Sequence, residues 1–294
     1  MTDRRPPNLL LQILAPTAVL AASIGAWALV VKLFHVAPYV LPSPGETWQS
    51  MRENWPELRQ GIGVTTEEFL IGFVLGSILG FVLAALMAQW RVVRTAFYPI
   101  LIATQAIPVI AIAPALIIWF GFGLLPKVII IMVIVFFPVV VNVLDGLVSI
   151  DPAVINLARS MGAGEYKVFR HIKLPATYTP LFSALKLSAT FSVTGAVIGE
   201  WTASSSGGLG VFLLNSSSRL DTPATFAAIV ILAAMGILAF VCIALLEVLV
   251  TPWRTRATPR QWLPWKAGSS RKREGRPSEH NPGAAMKSNS GEAR

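Results

Sequence analysis

An all-α protein that threads a membrane six times is the fold class this sequence predicts, on three observations. The 294-residue chain is 54% apolar but only 13% charged, and its mean hydropathy is +0.64. Soluble domains carry about 25% charged residues, so charge is depleted roughly twofold. Uncharged runs of the length that spans hydrocarbon, about 20 residues, recur along the chain. The charges that remain bracket those runs or collect in a polar C-terminus.

The first run lies between Arg5 and Lys32. Asp3-Arg4-Arg5 ahead of a leucine-rich stretch and a small-residue segment at 21–26 also fits a cleaved secretory leader. The uncharged run exceeds a leader's usual apolar length, which favours a retained helix. The second span runs from Glu68 to Arg91 and the third from Arg94 to Lys127. Pro108 and Pro114 must kink or interrupt the third, which is too short to be two spans. The fourth starts at Lys127 and reaches about Ile150, with Asp145 near its end. The fifth runs from about Pro175 to Trp201, with Lys186 snorkelling back toward the headgroups. The sixth covers Thr222 to Leu246, bounded by Asp221 and Glu247.

Lysine and arginine in short loops set orientation. An N-terminus inside places Arg4, Arg5, Arg91, Arg94, Arg159, Lys167, Arg170, Lys173 and the C-terminal tail in the cytoplasm. Only Arg52, Arg59, Lys127 and Arg219 stay outside. The expected organisation is a cytoplasmic N-terminus at 1–8, a membrane domain at 9–253, and a basic, disordered cytoplasmic tail at 254–294. Trp253, Trp262 and Trp265 anchor the start of that tail. On the outer side, Ser43 followed by Pro44 and Glu46 reads as a helix start, with Trp48, Met51 and Trp55 on one face of an interfacial helix.

Composition also excludes functions. The net charge of +9 sits in short loops and the tail, which fits the positive-inside pattern and not nucleic-acid binding. A lone Cys242 offers neither a disulfide nor a cysteine metal site. His35, His171 and His280 cannot converge on a metal, and there is no HExxH and no GxxxxGK[ST]. The glycine-rich 206–210 segment lacks the Lys-Ser/Thr of a phosphate cradle. No catalytic residue, metal site or cofactor is expected in this chain, and any ATP must be hydrolysed by another.

Gly72, Gly76 and Gly80 recur every fourth residue in the second span, a smooth stripe along which another helix can approach closely. It serves packing within the chain or a dimer face. Polar groups inside spans are few and are candidates for a solute pathway. They are Gln105 beside Pro108 in the kinked third span, Asn142 in the fourth, Thr190 and Thr194 in the fifth, and Glu200 at its outer end. Hydrogen bonding between helices is the competing role for each. Gln105 with Thr190 and Thr194 is the first choice for pore lining.

The cytoplasmic segment 151–175 is charged and glycine-hinged. Asp151-Pro152 reads as a cap and first-turn proline. Leu157 and Met161 then fall one turn apart, and Gly162-Ala163-Gly164 ends the helix. A second short helix covers about Glu165 to Ile172, with Val168 and Ile172 one turn apart, and Pro175 closes the loop. This rigid helix-turn-helix either folds against its own bundle or docks a soluble partner.

The loop resembles that of inner-membrane permease subunits of ABC importers, which read Glu-Ala-Ala, three residues, Gly, nine residues, Ile-x-Leu-Pro. Here Ala158, Gly162, Ile172, Leu174 and Pro175 hold that spacing, while Asn156 and Leu157 replace the first two positions. "YVLPSPGETW", "PVIAIAPALIIWFGFGLLPK" and "GEWTASSSGGLG" are similar to the nitrate/sulfonate/taurine branch. That branch includes permeases for riboflavin and thiamine-pyrimidine precursors. The resemblance covers about residues 38 to 250. It implies a bacterial inner-membrane protein whose loop, with Ala158, Gly162, Ala163, Ile172, Leu174 and Pro175, couples to the ATPase. The partners it implies are two ATP-binding subunits carrying ATP and Mg, a second permease copy, and an extracytoplasmic solute-binding protein. The rival class is an ion-coupled secondary transporter, which needs acids near the midplane and inverted repeats.

Overall fold

The computed structural model describes residues 9–203 and 207–251, and among these every regular element is helical. Eleven α-helices follow in order. They are α1 Leu9–Phe34, α2 Pro44–Glu53, α3 Trp55–Gln89, α4 Arg91–Gln105, α5 Val109–Phe120, α6 Leu124–Val148, α7 Pro152–Ser160, α8 Glu165–Val168, α9 Leu174–Ala203, α10 Leu209–Ser218 and α11 Thr222–Val250. A π-helical turn, Phe169–Lys173, joins α8 to α9. Five helices are long and apolar enough to cross a membrane, and the bent pair α4–α5, taken as one broken span, brings the number to six. The expected N-terminus at 1–8, the 254–294 tail, the tryptophans at 253, 262 and 265, and His280 lie outside the described residues.

The core is built on α6, which packs along both α3 and α9. Val135, Val139, Val140 and Val143 on α6 are fully buried. The glycine stripe explains how α3 comes so close. A Cβ built on Gly76 would stand 2.8 Å from the Met132 carbonyl oxygen, and one on Gly80 2.9 Å from that of Phe136. The stripe therefore faces α6 of the same chain, which assigns it to packing within the chain. Gly195 and Gly199 of α9 meet Ile131 and Lys127 in the same way from the other side. Without a hydrophobic drive between helices in lipid, this close backbone approach supplies the packing energy.

The bounds differ from the sequence reading in several places. The third span is broken at one proline only. α4 and α5 meet at 100° around residues 106–108, while Pro99 and Pro114 lie inside helices. Pro108 is the N-cap of α5, where its missing N–H costs nothing. Helix α3 begins at Trp55, well before the expected Glu68, because Glu68 is buried inside the helix rather than marking its end. Lys186 does not snorkel to the headgroups. Its Nζ donates to Glu247 Oε2 at 2.7 Å, tying α9 to α11.

Helix α2 starts as expected. The Ser43 hydroxyl accepts from the Glu46 N–H, and the Glu46 carboxylate accepts from the Ser43 N–H at 2.7 Å, a complete capping box. Trp48, Met51, Arg52 and Trp55 line one shallow groove, with the Arg52 guanidinium 5.2 Å from the Trp48 ring centroid. Helix α10, in the segment after the fifth span, was not expected at all.

Candidate functional site

Two regions carry the candidate residues, one at each end of the bundle. At the first end, Asp151 caps α7, its carboxylate accepting the Ala153 N–H at 2.8 Å. The helix stops in a Schellman motif. The Ala163 N–H donates to the Ala158 carbonyl at 3.0 Å and the Gly162 N–H to that of Arg159 at 2.9 Å, with Gly162 at φ +84°. Ala158, Gly162 and Ala163 are thus parts of one turn, and Gly162 supplies the left-handed backbone that other residues resist. Arg159 closes the turn further by donating to Glu165 Oε1 at 2.6 Å across the hinge.

Val154, Leu157 and Met161 are exposed on α7, with Met161 80% exposed. Val168, in contrast, is fully buried and anchors the far side of the turn to the bundle. Expectation and structure part at the end of the loop. Pro175 does not close it, because α8, the π turn and α9 run on as one helix from Glu165 to Ala203. The π turn is where this becomes possible. The Leu174 N–H reaches back to the Phe169 carbonyl, and the wider coil accepts a proline at the next position without breaking the helix. Ile172 and Leu174 are half-buried on this continuous helix.

From the middle of the bundle toward its opposite end, an open cleft of about 770 Å³ lies along α9, α10 and α11. Thr190, Thr194, Val197 and Trp201, at successive turns of α9, form one wall, with Ile237 and Phe240 of α11 opposite. No charged residue lines it. Thr190 and Thr194 therefore stand together on the exposed face of α9. Gln105 and Pro108 are exposed at the α4–α5 bend and do not line this cleft. Asn142 is turned onto its own helix, its Nδ2 donating to the Pro138 carbonyl at 2.8 Å.

Glu200 is 2% exposed and faces away from the cleft. Its Oε1 accepts from the Thr65 hydroxyl at 2.6 Å, and its Oε2 from the backbone N–H groups of Gly210 and Val211 at 2.6 and 3.2 Å. Thr65 in turn accepts the Leu209 N–H at 3.0 Å. The first turn of α10 is thus capped entirely by side chains from α3 and α9, with a negative group at the positive end of the helix. Gly208 makes room, since a Cβ there would collide with the Glu200 carboxylate. Beside this cap, Lys127 Nζ donates to Glu68 Oε1 at 2.6 Å, with both side chains nearly inaccessible. Two carboxylates and an ammonium buried this deeply depend on one another, because an unpartnered charge there carries a large desolvation penalty.

The sequence reading placed Glu68 and Lys127 at span boundaries and passed over Thr65. A signal was available, since Glu68 precedes Gly72, Gly76, Gly80 and Ala84 on a single four-residue row. A charge on the row that packs against α6 cannot face water. The described residues hold no cluster of three or more His, Cys, Asp or Glu side chains able to grip a metal.

Comparison with known proteins agrees with this architecture. Residues 72–255 match the family of binding-protein-dependent transport system inner membrane components. The formylaminopyrimidine transport permease protein ThiX of Halalkalibacterium halodurans is 34% identical over 83% of this chain and 98% of its own. The riboflavin transport system permease protein RibX of Chloroflexus aurantiacus is 34% identical over 77% of this chain and 85% of its own. Among solved structures, a methionine ABC transporter in inward-facing conformations superposes with a TM-score of 0.58 at 18% identity. That match covers 68% of this chain and 98% of the other. The chain belongs to the binding-protein-dependent inner-membrane permease family of ABC transporters. It is a multi-pass bacterial inner-membrane protein and a membrane component of a transport system.

Proposed function

We propose that this permease passes a small organic solute into the cytoplasm and is driven through its 151–175 loop by two separate ATP-binding subunits that carry ATP and Mg. The observation that carries the reading is the loop's construction. Leu157 and Met161 stand exposed on a helix whose end is locked by a Schellman turn and an ion pair. A rigid knob transmits a partner's displacement, whereas a loose loop would absorb it. The continuous helix from Glu165 to Ala203 then carries that displacement straight into the wall of the cleft. In this reading both termini and the loop are cytoplasmic, a second copy of the chain completes the pathway, and a solute-binding protein delivers to the α2 and α10 end. Thr190 and Thr194 line the path.

The uncharged cleft, with a tryptophan at one end and two hydroxyls along its wall, suits a neutral planar heterocycle such as a pyrimidine precursor or a flavin. A sulfonate, taurine or nitrate would be desolvated there with no cation to meet it. Relatives that carry formylaminopyrimidine and riboflavin in their names support the same choice. An ion-coupled transporter would need acids facing its pathway, and Glu68 and Glu200 are buried away from the cleft.

The test uses Gly162→Asp and Leu174→Asp. Both variants should insert in the membrane at normal levels yet fail to co-purify the ATP-binding subunit or support uptake. Normal co-purification and uptake in both would sink the coupling assignment.

A further inference from the structure

We propose that Glu200 and Thr65 are positioning residues that clasp α10 to α3 and so hold the rim of the solute cleft. The proposal rests on the reading of that cleft as the pathway. The cleft's wall ends in Trp201 of α9 and Leu213 of α10. Both are tied to α10, Leu213 as part of it and Trp201 through its first turn. The Trp201 Nε1 donates to the Gly210 carbonyl at 2.9 Å, so the indole is fixed by the first turn of α10. That turn is fixed in its own right by Glu200 and Thr65, which accept the N–H groups of Leu209, Gly210 and Val211. Glu200 is the residue before Trp201, so one carboxylate and the adjacent indole grip the same turn from two sides. Helix α10 has only ten residues and cannot span the bilayer, so it is held by side packing, Leu209 buried in the core with Phe212 and Leu213 against it, and by this grip on its first turn.

The geometry has a further consequence for Thr65. Its hydroxyl both donates to Glu200 and accepts from Leu209, so it is the link that closes the clasp on α3. Valine has the same shape but can do neither, whereas serine can do both. The clasp therefore predicts a chemical, not a steric, requirement at this position. A short helix released from it would swing about its Asp221 end, where Ser216 and Asp221 still tie it to α11 through backbone and cap.

The test is the rate at which N-ethylmaleimide labels Leu213→Cys. The full chain, carrying Cys242→Ser, is purified and held in lipid nanodiscs. Thr65→Val leaves buried donors and acceptors unpaired and should raise the labelling rate about tenfold by favouring the open rim. Glu200→Gln should act in the same direction. Thr65→Ser should return the rate to that of the parent, which a requirement for shape alone would not produce. Unchanged labelling in Thr65→Val, or a Thr65→Ser variant as fast as the valine, would overturn the proposal. If Glu200→Gln fails to fold, the valine and serine pair still decides. Labelling needs neither ATPase nor solute, so its outcome is separate from the co-purification that tests the importer reading.

Discussion

Lys127 sits near the start of α6 with its ammonium 2.6 Å from Glu68 and 1% of its surface exposed. Read along the chain it is a boundary charge, yet the fold draws it inward because α3 and α9 both extend past it. Removing one partner of such a pair leaves the other buried without its counter-charge, so it either stays desolvated or loses its charge at a cost. Lys127→Met should therefore destabilise the protein by about 3–5 kcal/mol. The double variant Lys127→Met/Glu68→Gln should regain most of that loss, as read by chemical unfolding in detergent. Full additivity of the two single changes would count against the pairing.

Gly76 makes the companion case on the apolar side. A Cβ there falls 2.8 Å from a backbone oxygen and 3.0 Å from Val135, neither of which can swing away as a flexible side chain would. Gly76→Leu should cost about 1–3 kcal/mol through overpacking. Gly63→Leu on the same helix meets open space and serves as the control. Intrinsic helix preference favours leucine over glycine at both positions, so an equal loss at Gly63 and Gly76 would count against contact with α6 as its cause.

At the scale of elements, two features depart from what local sequence suggests. Pro108 breaks the α4–α5 pair while Pro99, Pro114 and Pro138 are absorbed within helices. Exposure does not separate the cases, since Pro99 and Pro114 are exposed as the 106–108 segment is; what differs is that Pro108 stands at the N-cap of α5, outside both helices. The second feature is the π turn before α9. Charge and glycine mark the loop clearly in the sequence, but Pro175 reads as its end. The helix runs through it, with the extra residue of the Phe169–Lys173 turn just ahead of the proline. That continuity matters for function, since it turns a loop beside a span into the lever arm of that span. The Schellman turn, in contrast, was legible, because glycine at 162 tolerates the left-handed backbone that ends a helix.

At the scale of the whole molecule, the bundle has two unlike ends. One carries the exposed knob of α7, the other the capped helices α2 and α10 and the cleft. The count of basic residues predicts which end faces the cytoplasm. In a Cys242→Ser background, Leu157→Cys should react with a membrane-impermeant maleimide only after cells are permeabilised. Trp48→Cys, exposed on α2, should react in spheroplasts without permeabilisation. The reverse pattern would invert the topology and with it the direction of transport.

What the sequence by itself determined is the set of spans, their approximate order and the capped loop between the fourth and fifth. Each of these depends on hydropathy or on chemistry within a few neighbouring residues. The four-residue glycine row also announced a close helix contact, though not its partner. What only the tertiary structure decided is which polar residues meet. Thr65, Glu68, Lys127 and Glu200 lie on three helices, and α10 is held by groups up to 144 positions away in the chain. Charge pairing acts across space and leaves no period in the sequence. The charged members therefore look like ends of spans until the helices come together, and Thr65 does not stand out at all.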